Sequence, residues 1–249
     1  MIVDVRSVRK SYGGVVALDG CSIQAKKGMI TAIIGPNGSG KSTLFNSICG
    51  LERVDSGSIF VGADEVAGKQ THDICRNGVS RTFQDVRLFR HLTVGEHLSI
   101  ALQKSDEELL KSVFGKNKDK SVNVKEILKQ VHLPVPLDTQ VQTLSYGQRK
   151  LLDIAMAVCR PHGVLLLDEP VAGVNPAIRK IIVGILKNLV KRGDTIVIIE
   201  HDIDFVMSIA HWIYVLDKGR VIASGVPEDI QKSEKVLDVY LGGKVKVDG

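Results

Sequence analysis

Ile30-Thr-Ala-Ile-Ile34 followed by Gly35-Pro36-Asn37-Gly38-Ser39-Gly40-Lys41-Ser42-Thr43 is the stretch that decides the fold. Five apolar or β-branched residues predict a short buried strand, and the Gly-rich turn after them opens a helix predicted to run to Cys49. The turn matches G-x-x-x-x-G-K-[ST] in full, in the strand, turn and helix context that the motif requires. Glycines at 35, 38 and 40 let the backbone curl until successive N–H groups surround a phosphate. The helix that starts near Lys41 adds the positive end of its dipole. Lys41 is placed to reach β- and γ-phosphates and Ser42 to ligate Mg²⁺, so the whole run Gly35 to Thr43 is the expected nucleotide-binding segment. A turn that merely capped a helix would not account for a lysine presented to anionic charge.

Downstream, Val164-Leu-Leu-Leu-Asp168-Glu169 ends an apolar strand in two acids, at the carboxyl edge where α/β sheets bind ligands. Asp168 is expected to hold Mg²⁺, directly or through water. Glu169, one residue further out, is placed to orient and polarise an attacking water, because phosphoryl transfer needs mainly positioning and charge neutralisation. Taken alone, two acids at a strand end also serve as a helix N-cap, and Pro170 would suit that use. Leu144-Ser145-Tyr146-Gly147-Gln148 precedes an apolar-periodic stretch, which puts Ser145 and Gly147 at a helix N-terminus, where phosphate binds favourably. By itself that pentapeptide is also an ordinary capped helix start.

The remaining pattern predicts an α/β fold: a P-loop core with a mostly parallel central sheet, an N-terminal antiparallel β subdomain from Val3, and an inserted helical subdomain. Helices are predicted over Val94–Gln103, Glu107–Phe114 and Val124–Val131, a hairpin over Tyr214–Ala223 around Lys218-Gly219, and further helix from Pro227 to near Tyr240. Residues 1–84 and 162–242 are assigned to the core and 85–161 to the helical insert. One domain thus spans 2–242, with a frayed tail at 243–249. Lys116 to Ser121 is a polar charge run, expected to be a solvated loop.

A chain of 249 residues with 44% hydrophobic content can bury a substantial core, and its net charge of +5 fits acidic lipids or phosphates as well as nucleic acid. Cys21, Cys49, Cys75 and Cys159 are widely spaced with no Cys-x-x-Cys pair, which predicts reduced thiols buried as small hydrophobes. The N-terminus lacks the apolar stretch of a secretory signal. The apolar runs are strand-length, against the roughly 20 residues that a spanning helix needs. A cytoplasmic chain is expected, with any membrane role coming through partner subunits.

Gly35 to Ser42, Gln84, Leu144 to Gln148, Asp168-Glu169 and His201 occur in the order and approximate spacing of the ABC ATPases, and the sequence resembles that family over residues 2 to 242. The resemblance implies that the chain binds ATP with Mg²⁺ and hydrolyses it at the cytoplasmic face of a membrane. Two cassettes would pair head to tail, so that Leu144 to Gln148, Ser145 and Gly147 above all, complete the γ-phosphate site of the facing protomer. It implies that Gln84 touches Mg²⁺ and the attacking water and links the core to the helical subdomain. His201 would contact the γ-phosphate and help position Glu169, and the Tyr12 ring would stack on adenine. The implied partners are transmembrane permease subunits, a second ABC ATPase as homodimer or related heterodimer, and indirectly a substrate-binding protein, with no nucleic acid.

Two positions depart from the family pattern: Tyr146 stands where glycine is commonest, and Asn175 in the inter-site loop Ala172-Gly-Val-Asn175 stands where many relatives carry Asp. With Arg81-Thr-Phe-Gln-Asp-Val-Arg-Leu-Phe89 and Ile199-Glu-His-Asp202, these look like the branched-chain amino-acid importer branch. ATPases of urea importers and of a lipopolysaccharide exporter are similar in sequence, and ABC-type ATPases acting on DNA share the nucleotide motifs. The latter usually carry coiled coils or metal modules that have no counterpart here.

Overall fold

The computed structural model describes residues 2–84, 86, 88–102 and 124–241. The expected helix 107–114, the charge run 116–121 and the tail 243–249 lie outside the described residues.

The chain divides into two compact units, one of residues 1–81, 163–169 and 187–249, the other of residues 82–162 and 170–186. The first unit holds both sheets. Strands β1 (Val3–Tyr12), β2 (Val15–Ala25), β4 (Ser56–Val61) and β5 (Asp64–Glu65) form an antiparallel sheet in the order β2-β1-β4-β5. The second sheet runs β10-β9-β3-β8-β7-β6, from β3 (Ile30–Ile34), β6 (Val79–Arg81), β7 (Val164–Asp168), β8 (Thr195–Ile199), β9 (Trp212–Asp217) and β10 (Arg220–Gly225). Every pairing in it is parallel except the β9–β10 hairpin. Lys218 and Gly219 both take positive φ, 44° and 76°, as the mirror-image turn of a two-residue hairpin demands.

β3, β7 and β8 are buried along their whole lengths, which is what continuous apolar runs in a parallel sheet predict. β8 lies between β3 and β7, with Ile33 opposite Ile199 and Ile199 opposite Asp168. That register brings the residues following all three strands to one edge of the sheet. The Gly35 loop, the Glu200-His201 pair and the Asp168-Glu169 pair therefore meet there by topology alone.

The first unit also carries α1 (Lys41–Ile48) and α2 (Thr71–Arg76), and near the C-terminus α7 (Ile203–Ile209), α8 (Pro227–Gln231) and α9 (Glu234–Leu241). Its core clusters Val5, Leu18, Phe45, Ile59, Leu166 and Val197 with their neighbours. Cys21, Cys49 and Cys159 are buried as expected, whereas Cys75 on α2 is exposed, a correction to the sequence reading. Its short helix turns only Ile74 inward, so the neighbouring thiol faces out.

The second unit is helical. α3 (Val94–Leu102) and α4 (Val124–Gln130) both pack against α5 (Tyr146–Val158), and the turns that begin α6 (Pro176–Lys191) belong to the same unit. Thr93 and Glu96 cap α3 reciprocally: the Glu96 N–H donates to Thr93 Oγ1 at 3.2 Å and the Thr93 N–H to Glu96 Oε2 at 2.7 Å. Among the described residues no helix is long and apolar enough to cross a membrane.

Candidate nucleotide-binding and catalytic site

The P-loop is shaped by what its glycines must avoid. Gly35, Gly38 and Gly40 take φ of 150°, 79° and 103°. A Cβ on Gly35 would stand 2.1 Å from the Leu216 carbonyl oxygen, and one on Gly40 would stand 2.4 Å from that of Ala17. Backbone from β2 and β9 therefore walls in the loop, and only glycine fits at those two positions. The Gly219 N–H also donates to the Ser39 carbonyl at 2.9 Å, tying the hairpin turn to the loop.

Lys41 begins α1, and its ammonium turns back over the loop, donating to the carbonyls of Gly35 and Pro36 at 2.8 Å each and to Ser39 Oγ at 3.4 Å. Burial pulls its pKa below the usual lysine value, while the negative charges of Glu169 and Asp168 pull it back up. That mutual influence ties the lysine and both strand-end acids to one electrostatic site. Asn37, Gly38 and Ser42 are exposed, whereas Ser39 and Lys41 are buried.

Asp168 closes β7 and is 4% exposed. No helix begins at Pro170; turns follow, and α6 starts at Pro176, so the two acids are not spent as a helix cap. Glu169 sits in the left-handed region at φ 48°, a conformation that costs a non-glycine residue on the order of 1 to 2 kcal/mol and that clusters at functional sites. Its N–H is held by the Ile199 carbonyl at 2.9 Å, and its Oε1 lies 2.9 Å from His201 Nε2.

The turn that presents His201 has its own anchor. Glu200, 2% exposed, accepts from the His201 N–H at 3.1 Å, and Asp202 caps α7 by accepting from the Phe205 N–H at 2.8 Å.

Tyr12 ends β1 with 43% of its surface exposed, and the Lys10 ammonium stands 5.0 Å from its ring centroid. Burial of the hydroxyl, then the nearby Glu52 carboxylate, raises its pKa, while a hydrogen bond with Thr43 lowers it. Tyr12 therefore stands partly exposed beside the P-loop helix, with the Lys10 ammonium over its ring.

Mg²⁺ is a hard cation that takes oxygen donors and keeps most of its waters, needing only one or two carboxylates beside the phosphates. A buried Asp168 carboxylate and an exposed Ser42 hydroxyl one residue after the P-loop lysine fit that requirement.

The other expected site residues lie in the second unit. Gln84 is exposed, and its carbonyl accepts from Lys150 Nζ at 3.0 Å. Leu144 is buried at the end of a 3₁₀ turn, and Ser145 is the N-cap of α5. Ser145 and Gln148 form a full capping box, with Gln148 N–H to Ser145 Oγ at 3.3 Å and Ser145 N–H to Gln148 Oε1 at 2.9 Å. Gly147 is fixed by packing: a Cβ there would come within 2.8 Å of Ile178. Tyr146 is 40% exposed. Asn175 is the N-cap of α6, accepting from the Ile178 N–H at 2.9 Å.

Sequence reasoning gave Arg81, Lys150 and Glu200 no role. Arg81 Nη2 lies 3.2 Å from Asp168 Oδ2, and Nη1 donates to Asn46 Oδ1 at 2.8 Å. The available signal was an arginine three residues before Gln84, a lysine inside the apolar stripe of α5, and an acid directly before His201.

The chain matches the ABC transporter family over residues 18–172, and a C-terminal module described as the branched-chain amino acid ATP-binding cassette transporter family over residues 220–246. It is 38% identical to a probable branched-chain amino acid transport ATP-binding protein of Archaeoglobus fulgidus, over 98% of this chain and 96% of that one. It is 33% identical to a high-affinity branched-chain amino acid transport ATP-binding protein of Pseudomonas aeruginosa, over 97% and 98%. A crystal structure of a nucleotide-free ATP-binding cassette from an ABC transporter superposes with a TM-score of 0.84 at 33% identity, covering 97% of this chain and 99% of the other. With a glycine-walled loop, a buried lysine and two acids at one sheet edge, the chain belongs to the ABC transporter family, as one of its ATP-binding and ATP-hydrolysing cassettes.

Proposed function

We propose that this cassette powers the import of branched-chain, hydrophobic amino acids, working from the cytoplasmic face of the membrane. ATP-binding subunits of ABC transporters act as dimers with transmembrane permeases and are peripheral to the membrane. The amino-acid reading rests on the function borne in the names of its relatives and on the branch-specific module at residues 220–246. The dimer would be a homodimer or a pairing with a related ATPase, and a substrate-binding protein would deliver the amino acid to the permease.

The residue roles follow from the site. The Gly35 to Thr43 loop cradles the phosphates, Lys41 releases the Gly35 and Pro36 carbonyls to reach the β- and γ-phosphates, and Tyr12 stacks on the adenine. Ser42 and Asp168 hold Mg²⁺, with Gln84 as a further oxygen donor by family resemblance. The cation supplies neutralisation of the charge that builds on the β- and γ-phosphate oxygens.

Glu169 orients a water for in-line attack at the γ-phosphorus and takes its proton as the bond to the β,γ-bridging oxygen breaks, leaving ADP and phosphate. His201 holds the Glu169 carboxylate before ATP arrives and turns to the γ-phosphate afterwards. The signature residues Leu144 to Gln148, led by Ser145 and Gly147, complete the site of the facing protomer. The helical second unit carries the contact with the permease.

The observation that carries this reading is the 2.9 Å His201–Glu169 pair on a strained residue directly after the buried Asp168. The test is Glu169→Gln in the purified transporter complex. ATP should still bind, and hydrolysis should fall by on the order of 10²-fold or more. An unchanged hydrolysis rate would refute the assignment of the base. The substrate is tested in the same complex: leucine, isoleucine or valine with the binding protein should stimulate hydrolysis, and stimulation by urea alone would replace the amino-acid reading.

A further inference from the structure

Arg81 has an unusual setting for an arginine: its side chain is 9% exposed, and it closes a three-residue strand. Its guanidinium meets groups on two neighbouring elements. Nη2 lies 3.2 Å from Asp168 Oδ2, Nη1 donates to Asn46 Oδ1 at 2.8 Å, and the Phe45 ring centroid is 5.6 Å from Cζ. Asn46 and Phe45 belong to α1, the helix that carries the P-loop lysine, and Asp168 belongs to β7. Arg81 reaches both because β6 pairs in parallel with β7, with Arg81 opposite Leu166.

A carboxylate 5% exposed on its side chain is costly to leave ionised unless a cation stands beside it. A guanidinium is the cation suited to that place: it stays charged, it is weakly hydrated, and its planar fork serves two acceptors at once. We propose that Arg81 is the resident counter-cation of Asp168 and the positioning residue that sets how strongly the site takes Mg²⁺. The inference rests on the reading of Asp168 as a magnesium carboxylate. Before nucleotide binds, Arg81 neutralises Asp168 on its Oδ2 side and locks the carboxylate to the P-loop helix through Asn46. When the metal–nucleotide arrives, the same positive charge opposes a second cation at Asp168, which keeps Mg²⁺ exchangeable with each turnover.

Such a charge produces two effects of opposite direction, which a purely structural cross-link does not. Without Arg81, Asp168 loses an ion-pair partner and adds net negative charge beside the phosphate cradle, so ATP binding in EDTA weakens. The same added negative charge binds Mg²⁺ more readily, so the Mg²⁺ concentration that half-saturates ATP binding falls. Charges a few ångströms apart in a partly shielded site interact by several times RT, which sets each effect at no less than about fivefold.

The experiment uses the purified full chain and a fluorescent ATP analogue, titrated in EDTA and against free Mg²⁺, alongside thermal melting without nucleotide. Arg81→Gln should show both shifts and a lower melting temperature, part of which Mg²⁺ alone restores. Arg81→Lys keeps the charge and should hold the Mg²⁺ half-saturation within about twofold of the native chain. Asn46→Ala removes the helix tie and keeps the charge, so it should melt earlier with the Mg²⁺ half-saturation unmoved. If Arg81→Gln leaves the Mg²⁺ half-saturation where it was while Asp168→Asn abolishes the Mg²⁺ dependence, the inference about Arg81 is overturned and the role of Asp168 stands. If Asp168→Asn leaves the Mg²⁺ dependence intact, the reading of Asp168 falls first. Should Arg81→Gln fail to fold, Arg81→Lys decides, since a Mg²⁺ half-saturation moved fivefold with the charge retained would overturn the proposal.

Discussion

Ser145 has two roles to separate, because it is at once a helix cap and the proposed donor to a nucleotide held by the facing protomer. Its Oγ accepts from the Gln148 N–H at 3.3 Å while Gln148 Oε1 accepts from the Ser145 N–H at 2.9 Å. Ser145→Ala deletes one half of this box on an exposed helix start, which costs about 1 kcal/mol. For a chain of this length that lowers the melting temperature by roughly 2 to 4 °C. The same change removes a hydrogen bond to a charged phosphate, worth about 1.5 to 3 kcal/mol, so hydrolysis should fall on the order of 10- to 100-fold.

Ser145→Asp is the decisive variant. Aspartate caps as well as serine, and its charge favours a helix N-terminus, so the melting temperature should stay within about 1 °C of the native value. A carboxylate facing a γ-phosphate at about 4 Å is repelled by about 4 kcal/mol near a protein surface, on the order of 10³-fold in rate. The assay pairs thermal melting of the isolated chain with ATP hydrolysis by the assembled transporter. If Ser145→Asp hydrolyses ATP at close to the native rate, the serine only caps α5, and completion of a facing site by this residue is refuted.

Three further outcomes follow from the geometry. Gly35→Ala places a Cβ 2.1 Å from the Leu216 carbonyl at a φ that side chains rarely adopt, so it should weaken ATP binding at least tenfold and lower the melting temperature; a fluorescent-nucleotide titration indistinguishable from the native one would contradict the cradle. Lys41→Ala removes a charge-assisted phosphate contact worth about 1.5 to 3 kcal/mol and should weaken ATP affinity on the order of 10- to 100-fold, read by calorimetric titration. Burial raises the Asp153 carboxyl on α5 to about 7, with the Lys150 ammonium pulling the other way. A folded-state pKa above the unfolded one stabilises the chain at pH below the unfolded value of about 4, and that stability is lost as pH rises through 7. Melting temperature should therefore fall between about pH 4 and 7 and level off above, and Asp153→Asn should flatten that fall; an equal slope in the variant over the same range would count against the burial of that carboxyl.

The core of the site was legible because its parts are contiguous in sequence or fixed by strand ends. Gly35 to Ser42 is a single local motif, and three apolar runs ending at Ile34, Asp168 and Ile199 place their following residues at one edge once they pair in parallel. The interactions that hold those parts were not legible. Arg81 meets Asp168 only because β6 and β7 align, at a separation of 87 residues, and nothing local to Arg81 announces it. Lys150 looks like a polar interruption of an amphipathic helix until its ammonium is seen on the backbone carbonyl of Gln84, a partner that has no side-chain signature. Cys75 reads like its three buried counterparts, because a six-residue helix with one buried position leaves too short a period to tell inside from outside.

The two departures from the family pattern turn out to be neighbours, and the packing gives each a physical reason. Tyr146 stands where glycine is commonest, and its ring occupies the space beside Gly173, where a Cβ would lie 3.3 Å from Cε1. Gly173 needs φ of 69°, so that turn already requires glycine, and the tyrosine fills the volume its missing side chain leaves. Two residues on, Asn175 caps α6 through its Oδ1, with Pro176 at the first helical position. Asparagine caps as well as aspartate but brings no charge. Relative to an aspartate, the loop therefore lacks a charge at residue 175, while its shape, set by the cap, the proline and the covered glycine, is retained. In the proposed role of residues 172–175 between facing sites, coupling would then be carried by packing and hydrogen bonds, with Tyr146 packed between the signature helix and the loop.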